Sequence, residues 1–357
     1  MKTYIKFLIN LFIKSFFKVF LIFFALILII NIFEQVEFLK QSNVSYWLPT
    51  FLSLLNTPSI VFEILPFIFL IATQLLFIHL MENNELEIFK YTGLTNIKII
   101  KIIGIFTFFL GIFITIFYYN FSAKLKNSYL EIKNSYSNDN KYLAVITDNG
   151  LWIKDEINQQ INIINASKVD GQYLLDVVVT QFDLDYNYIK TIQSGKVDIS
   201  NNDWVLFLPL ISEKDITTDY KKITLHTNFN LKRINSLFSN LSSLTLLEIY
   251  ALRNNYKLLN YSLTDIDSHL LKLFTYPFYL SIMTILSSII MFNIGYQKNL
   301  MFNIFSGILI CVIIYYVNFF FNVLGTSEKI PVMLSVLMPL FILVLINSIF
   351  IVRLNEK

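Results

Sequence analysis

Apolar positions along the chain collect into six long stretches, three before residue 124 and three after residue 264, and the block between them is polar and rich in turn residues. The stretches run from about Ser15 to Phe33, Ile60 to Leu80, Ile99 to Tyr119, Phe274 to Ile294, Phe302 to Val323 and Val332 to Val352. Each is long enough for a helix to cross a hydrocarbon layer about 30 Å thick. The pattern predicts three spanning helices in residues 1–123, three more in residues 265–357, and one water-exposed domain over residues 124–264. After the first stretch stand Glu34, Glu37 and Phe38, where a cleavable signal would carry small residues, so the stretch reads as a retained helix.

Inside the middle block the hydrophobic period shortens to two. YLAVIT, GLWIKD, QINIINASKV, LLDVVVTQFDL, YIKTIQ, KVDIS, DWVLFLPL and KKITLH are separated by turn signals at Asp148-Asn149-Gly150, Asp170-Gly171, Ser194-Gly195 and Asn201-Asn202-Asp203. Short strands at this spacing predict an antiparallel β-sandwich or jelly roll. Its inner face would take Val177, Val179 and Phe182 with Val205, Phe207 and Ile223, either as ordinary core or as a groove for acyl chains. Beyond Ser242 the period lengthens again. Leu244, Leu247, Ile249, Leu252 and Tyr256 fit one helical stripe opposite Glu248, Arg253 and Lys257, on a helix leading back to the membrane.

Composition agrees with a membrane protein: 55% hydrophobic residues, 35 Phe and a mean hydropathy of +0.59 exceed what a water-soluble domain needs. The net charge of +3 is dispersed, so no basic face for nucleic acid emerges. Cys311 stands alone in an apolar run, which excludes an internal disulfide and a multi-cysteine metal site. His79, His226 and His269 are too scattered for a metal centre, and no catalytic constellation presents itself. The single Gly-Lys pair, Gly195-Lys196, is followed by Val197, so the chain has no P-loop. Orientation follows from the basic residues. Lys2, Lys6, Lys14, Lys18, Lys90, Lys98, Lys101, Lys298, Arg353 and Lys357 share one side, against Lys40 and Lys329 on the short loops of the other. The positive-inside rule then puts both termini in the cytoplasm and the middle domain outside it.

The longest connection on the cytoplasmic side is MENNELEIFKYTGLTNIKIIK, residues 81–101. Glu82, Glu85 and Glu87 open it and Lys90, Lys98 and Lys101 close it, which suits the macrodipole of a short helix from about Asn84 to Tyr91. Gly93 would supply a left-handed stop and Thr95 a cap for the next helix. The segment is either an ordinary solvated loop or a coupling helix that docks on a partner. Few ionisable groups enter the spans: Glu63, Glu34 and Glu37 sit near outer ends, where they either reach interfacial water or line the mouth of a cavity. In the fifth span Asn318 and Asn322 share a face with Tyr315, for an interhelical hydrogen bond or for contact with a substrate.

Six spans split around an external β-domain, the loop NELEIFKYTGLT and the strand GLWIKDE together resemble the LptF/LptG permeases, which extract lipopolysaccharide from the inner membrane of Gram-negative bacteria. The GLW-x-KD strand, Gly150 to Asp155, resembles LptG more than LptF, and the likeness covers nearly the whole chain. It implies a complex with an LptF-like permease subunit, an LptB-like ATPase dimer holding ATP and Mg²⁺, and an LptC/LptA-like periplasmic bridge of β-domains. No cofactor would be bound by this chain itself.

In the family the cytoplasmic loop enters a groove on the ATPase. Glu85 matches a functionally sensitive glutamate there, in a coupling set with Leu86, Glu87, Phe89 and Gly93. The first and fifth spans form lateral gates with the partner subunit, which makes Asn31, Glu34, Glu37, Lys40, Tyr315, Asn318 and Asn322 candidates for the lipid cavity. Val177, Val179, Phe207 and Ile223 are the candidates for a β-domain groove. One departure stands out: similar permeases often carry basic residues at the outer end of the first helix, where this chain has Asn31, Glu34, Glu37 and only Lys40. The alternatives are an LptF-type paralogue, a membrane enzyme acting on lipid-linked substrates, and an envelope scaffold. The enzyme lacks clustered Asp, His or Lys at membrane ends, and a scaffold would need only one or two spans.

Overall fold

The protein is described by a computed structural model over residues 3–40, 45, 47–136, 151–157, 160–213, 216–231, 234, 240–258, 262–294 and 300–355. The expected strand YLAVIT and the turn Asp148-Asn149-Gly150 lie outside these residues. The chain forms two compact units. One comprises Met1–Asn127, Ser242–Ile249 and Leu263–Lys357, the other Ser128–Leu241 and Tyr250–Ser262.

The first unit is helical. Its elements are α1 (Thr3–Phe38), α2 (Trp47–Glu82), the short α3 (Glu85–Tyr91), α4 (Asn96–Phe113), a π-helical turn (Ile114–Tyr118) running into the first half of α5 (Tyr119–Ser135), then α7 (Thr264–Ile294), α8 (Leu300–Thr326) and α9 (Val332–Asn355), with the first turn of α6 (Leu246–Leu258) between α5 and α7 in sequence. Among the described residues, six helical stretches are long and apolar enough to cross a membrane, α4 and α5 counting as one. They run past the apolar windows seen in the sequence because helical hydrogen bonds continue into the polar turns at each end.

Burial is uneven. The apolar window of α2 is 67% buried whereas those of α1 and α8 are each 17% buried, so α2 is the spine of the bundle and α1 and α8 turn most of their apolar surface outward. At one end Phe12 and Phe16 of α1 pack on Phe69 of α2, with ring centroids 5.8 and 5.1 Å apart, and Phe106 of α4 closes on Phe12 at 5.9 Å. Leu70, next to Phe69, joins Met283, Leu286, Cys311, Ile314 and Leu343 in bringing α2, α7, α8 and α9 together. Small residues set the α4–α7 crossing: Ser281 Oγ donates to the Gly104 carbonyl at 2.8 Å, and a Cβ at Gly111 would stand 2.9 Å from Pro277 Cα. Such close approach is the usual packing device where lipid gives no hydrophobic drive.

Prolines leave marks on α2. Pro66 has no N–H for the Phe62 carbonyl, and the Tyr276 hydroxyl of α7 donates to that oxygen instead. The last residue of the π turn and the first of α5 are consecutive tyrosines that face the bundle. Tyr118 donates to the Pro58 carbonyl at 3.1 Å, while the Tyr119 hydroxyl meets the Leu244 carbonyl at 3.0 Å and His269 Nε2 at 2.9 Å.

The second unit is built on one antiparallel sheet of eight strands: β1 (Leu151–Ile157), β2 (Gln160–Asp170), β3 (Tyr173–Phe182), β4 (Tyr188–Asp198), β5 (Asp203–Phe207), β6 (Leu210–Glu213), β7 (Ile216–Asp219) and β8 (Lys222–His226). The main path is β1-β2-β3-β4-β5-β8, with the β6–β7 hairpin branching from β4. Leu151 and Ile153 pair with Ala166 and Ile164, which pair in turn with Val177 and Val179, and all six are buried.

Burial changes phase within β3, from Leu174 to Val177, across Asp176, whose φ of 50° breaks the alternation; β4 changes phase opposite it, from Val197 to Ser194. This corrects the expected inner face. In β5 it is Trp204 and Leu206 that are buried, and Ile223 pairs with Leu206, whereas Phe207 pairs with Lys222 on the opposite face, as Val205 does with Thr224. Because side chains alternate strictly, an offset of one residue moves the whole set to the other side.

A second correction concerns α6. Ile249 and Leu252 are its buried positions and Leu247 is 85% exposed, since residues two apart on a helix point nearly opposite ways. The helix opens on a capping box in which the Thr245 N–H donates to Glu248 Oε2 at 2.8 Å.

Candidate functional site

The loop between α2 and α4 folds as α3. Asn84 precedes it with φ 55°, Gly93 follows with φ 79°, and Thr95 Oγ1 accepts from the Lys98 N–H at 3.4 Å to cap α4. Leu86 is buried, and Phe89 meets Phe7 of α1 edge-on with centroids 6.0 Å apart, so one face of α3 is fixed to its own bundle. The other face carries Glu87, Lys90, Ile88 at 57% and Tyr91 at 88% exposure. Glu85, in the first turn, is half-buried, and its Oε2 receives no hydrogen bond among the described residues. Of the five expected coupling residues, Leu86 and Phe89 therefore hold the helix in place and Glu87 faces away from the bundle.

At the far end of α1, Asn31 is buried and its Oδ1 accepts from Asn56 Nδ2 of α2 at 3.0 Å. That bond ties α1 to α2. Glu34, Glu37 and Lys40 are exposed. On α8, Asn318 donates to the Tyr279 hydroxyl at 2.8 Å and Asn322 accepts from Lys272 Nζ, both on α7, so the two asparagines bind α8 to its neighbour. Tyr315 remains 53% exposed and stacks on Phe319, centroids 6.4 Å apart.

In the β-domain, Val177 and Val179 are buried on the inner face, Ile223 is half-buried beside Leu206, and Phe207 lies on the other side under Lys222, whose Nζ is 5.5 Å from the ring centroid. A polar row crosses the inner face where Asp155, Asn162 and Gln181 stand in register, all buried, with Gln181 Nε2 donating to Asn162 Oδ1 at 2.7 Å.

The described residues thus include six apolar helices, an antiparallel sheet inserted between the third and fourth, and a short helix between the second and third spans. The family model described as "Lipopolysaccharide export system permease LptF/LptG" matches residues 6–353. The chain belongs to the LptF/LptG family. A comparison with curated proteins returns no match. As a family member the chain is a multi-pass membrane protein of lipopolysaccharide export, with its β-domain inserted in the middle of the permease.

Several residues of this permease carry interactions that sequence reasoning passed over. Ile88 and Tyr91 are exposed apolar side chains at i and i+3 of α3, a spacing that puts them on one face; their signal in the sequence is overlaid by the charged residues of the loop. Asn56 and Tyr276 escaped because a polar residue inside a span finds its partner only when two helices cross. Asn228, which donates from its main chain and its amide to Asp155, lies in a turn with no local signature.

Proposed function

We propose that the chain is an LptG-like permease subunit of an ATP-driven transporter in a bacterial inner membrane, with both termini cytoplasmic and the β-domain periplasmic. It pairs with an LptF-like subunit, extracts lipopolysaccharide into a cavity between them, and passes it through the β-domain toward an LptC/LptA-like bridge. The observation that carries this reading is α3: a helix held by Leu86 and Phe89 against the bundle while Ile88 and Tyr91 point away from it. An apolar pair so exposed on a rigid helix suits insertion into a groove of a partner. That partner would be an LptB-like ATPase dimer, since moving a lipid costs about 0.8 kcal/mol per exposed methylene and this sequence has no P-loop to meet it. The outward apolar faces of α1 and α8 suit contact with lipid and with the second permease subunit.

Coexpression with neighbouring genes tests the reading. The chain should copurify with an ATPase and a second six-span subunit, and Ile88→Asp with Tyr91→Ala should release the ATPase while membrane insertion persists. Purification without either protein would overturn it.

A further inference from the structure

Where the chain re-enters the helical unit, at Ser242–Leu246, side chains of α5 take hold of it. Asn120 Oδ1 accepts from the Leu246 N–H at 3.0 Å, the Tyr119 hydroxyl donates to the Leu244 carbonyl at 3.0 Å, and Lys126 Nζ donates to Ser242 Oγ at 2.6 Å. Asn120 thereby serves one of the N–H groups that the start of a helix leaves over, here the start of α6. The Tyr119 hydroxyl has one proton to give. With that proton on the Leu244 carbonyl, its oxygen accepts from His269 Nε2 of α7, 2.9 Å away, which assigns the proton of the neutral ring to Nε2.

These bonds fix a depth. Tyr119 closes the third apolar stretch, and His269 comes shortly before the fourth, which begins near Phe274. The first turn of α6 is therefore held level with the ends of the two spans between which the β-domain is inserted. Ile249 of that turn packs inward with no exposed surface, and Leu247 faces away from it with 85% of its surface exposed. Other large apolar side chains are bare at the same level. Phe121, next to Asn120, is 58% exposed, and Phe274 is 74% exposed. Phe121 also ends an outward row with Phe109, Phe113 and Phe117, four residues apart along the third span and all more than half exposed. A single exposed leucine in bulk water needs no account, but Leu247 is tied by its neighbours' main chain to the place where that lipid-facing row stops.

We propose that the first turn of α6 is a foot on the membrane surface, with Leu247 set among the headgroups and uppermost acyl carbons of bilayer lipid, and with Asn120 and Tyr119 holding it at that depth. A helix lying at this boundary buries its apolar side chains about 5–10 Å into the headgroup and acyl region, which is within reach of a leucine on a turn fixed at the end of a span. The contact follows from where the spans end. It does not depend on which side is cytoplasmic or on what the permease carries.

The test uses the full chain, with any partner that copurifies, in nanodiscs of phosphatidylcholine and phosphatidylglycerol. The buried Cys311 is changed to Ala, and Leu247→Cys carries an environment-sensitive fluorophore. Where Cys311→Ala lowers expression, the native thiol is kept and the labelling of protein without Leu247→Cys is subtracted. With nitroxide-bearing lipids, whose label sits just below the headgroup, the probe should lose about half of its emission, and aqueous iodide should quench it little. Strong quenching by iodide with none by the nitroxide would place Leu247 in water and overturn the foot. Quenching by neither would mean that protein covers it, and would overturn the lipid contact equally. Asn120→Ala should weaken the nitroxide quenching about twofold, and Asn120→Asp, which keeps an acceptor for the Leu246 N–H, should retain it. Equal quenching in all three proteins would remove Asn120 from the device.

Discussion

The Tyr276 hydroxyl donates its hydrogen bond to the main-chain carbonyl of Phe62, the oxygen that Pro66 cannot serve from within α2. The two rings also stack, with centroids 4.5 Å apart. A helix broken by proline inside a bundle leaves a polar atom without water nearby, and here a neighbouring helix repairs the loss. Tyr276→Phe should therefore cost about 1–3 kcal/mol, the penalty of a buried acceptor left unserved. In a Pro66→Ala background, where residue 66 regains its N–H, the same change should cost much less. Thermal unfolding of the four proteins in detergent measures the coupling, and equal costs in both backgrounds would refute it.

The two faces of α3 should separate in their effects. Leu86→Ala removes buried apolar volume and should lower stability by about 2–5 kcal/mol. Ile88→Asp alters only an exposed position and should leave the melting temperature unchanged while weakening association with the ATPase. Differential scanning fluorimetry alongside pull-down of the ATPase distinguishes the two.

Gly111 and Gly195 offer a matched pair. A methyl at Gly111 meets Pro277 Cα at 2.9 Å, while one at Gly195 meets nothing within 4 Å. Gly111→Ala should force α4 and α7 apart at a cost of about 1–3 kcal/mol, and Gly195→Ala should be close to neutral. Urea titration of tryptophan fluorescence in micelles reports both.

Acid should weaken the β-domain. Hydrogen bonds from the Asn187 side chain, the Asn187 N–H and the Asp185 N–H hold the exposed Asp183 carboxyl below the usual carboxylate range, and the Ser200 hydroxyl and N–H do the same for Asp198, with Lys222 and Lys196 adding to it. A folded-state value below the unfolded one contributes stability that is fully present above the unfolded Asp value of about 3.9 and lost as pH falls through the folded value. Asp183→Asn with Asp198→Asn should flatten the acid limb of the stability curve, as followed by circular dichroism between pH 6 and about pH 2. An acid limb unchanged in the double variant would exclude both carboxylates as its source.

Much of the architecture is local in origin. Runs of apolar residues define the six spans, and the change to a period of two, then back, marks where the β-domain begins and ends. The boundaries of α3 follow from single residues: the acidic first turn, Gly93 with its positive φ, and Thr95 as the cap of α4. Its amphipathic face was harder to read, because seven residues admit either side as the buried one until Phe7 of α1 is seen against Phe89.

By itself the sequence determined which segments lie in a membrane, where a β-domain interrupts them and, through NELEIFKYTGLT and GLWIKDE, the family to which the chain belongs. Those features depend on composition and on near neighbours along the chain. Only the tertiary structure decided that Asn31 and Asn318 bind helices together, that Ile223 faces with Leu206 and not with Phe207, and that Asp155 meets Asn228. Each of those choices depends on register or on a crossing between distant segments, where one residue of offset, or a few ångströms, changes which atoms meet.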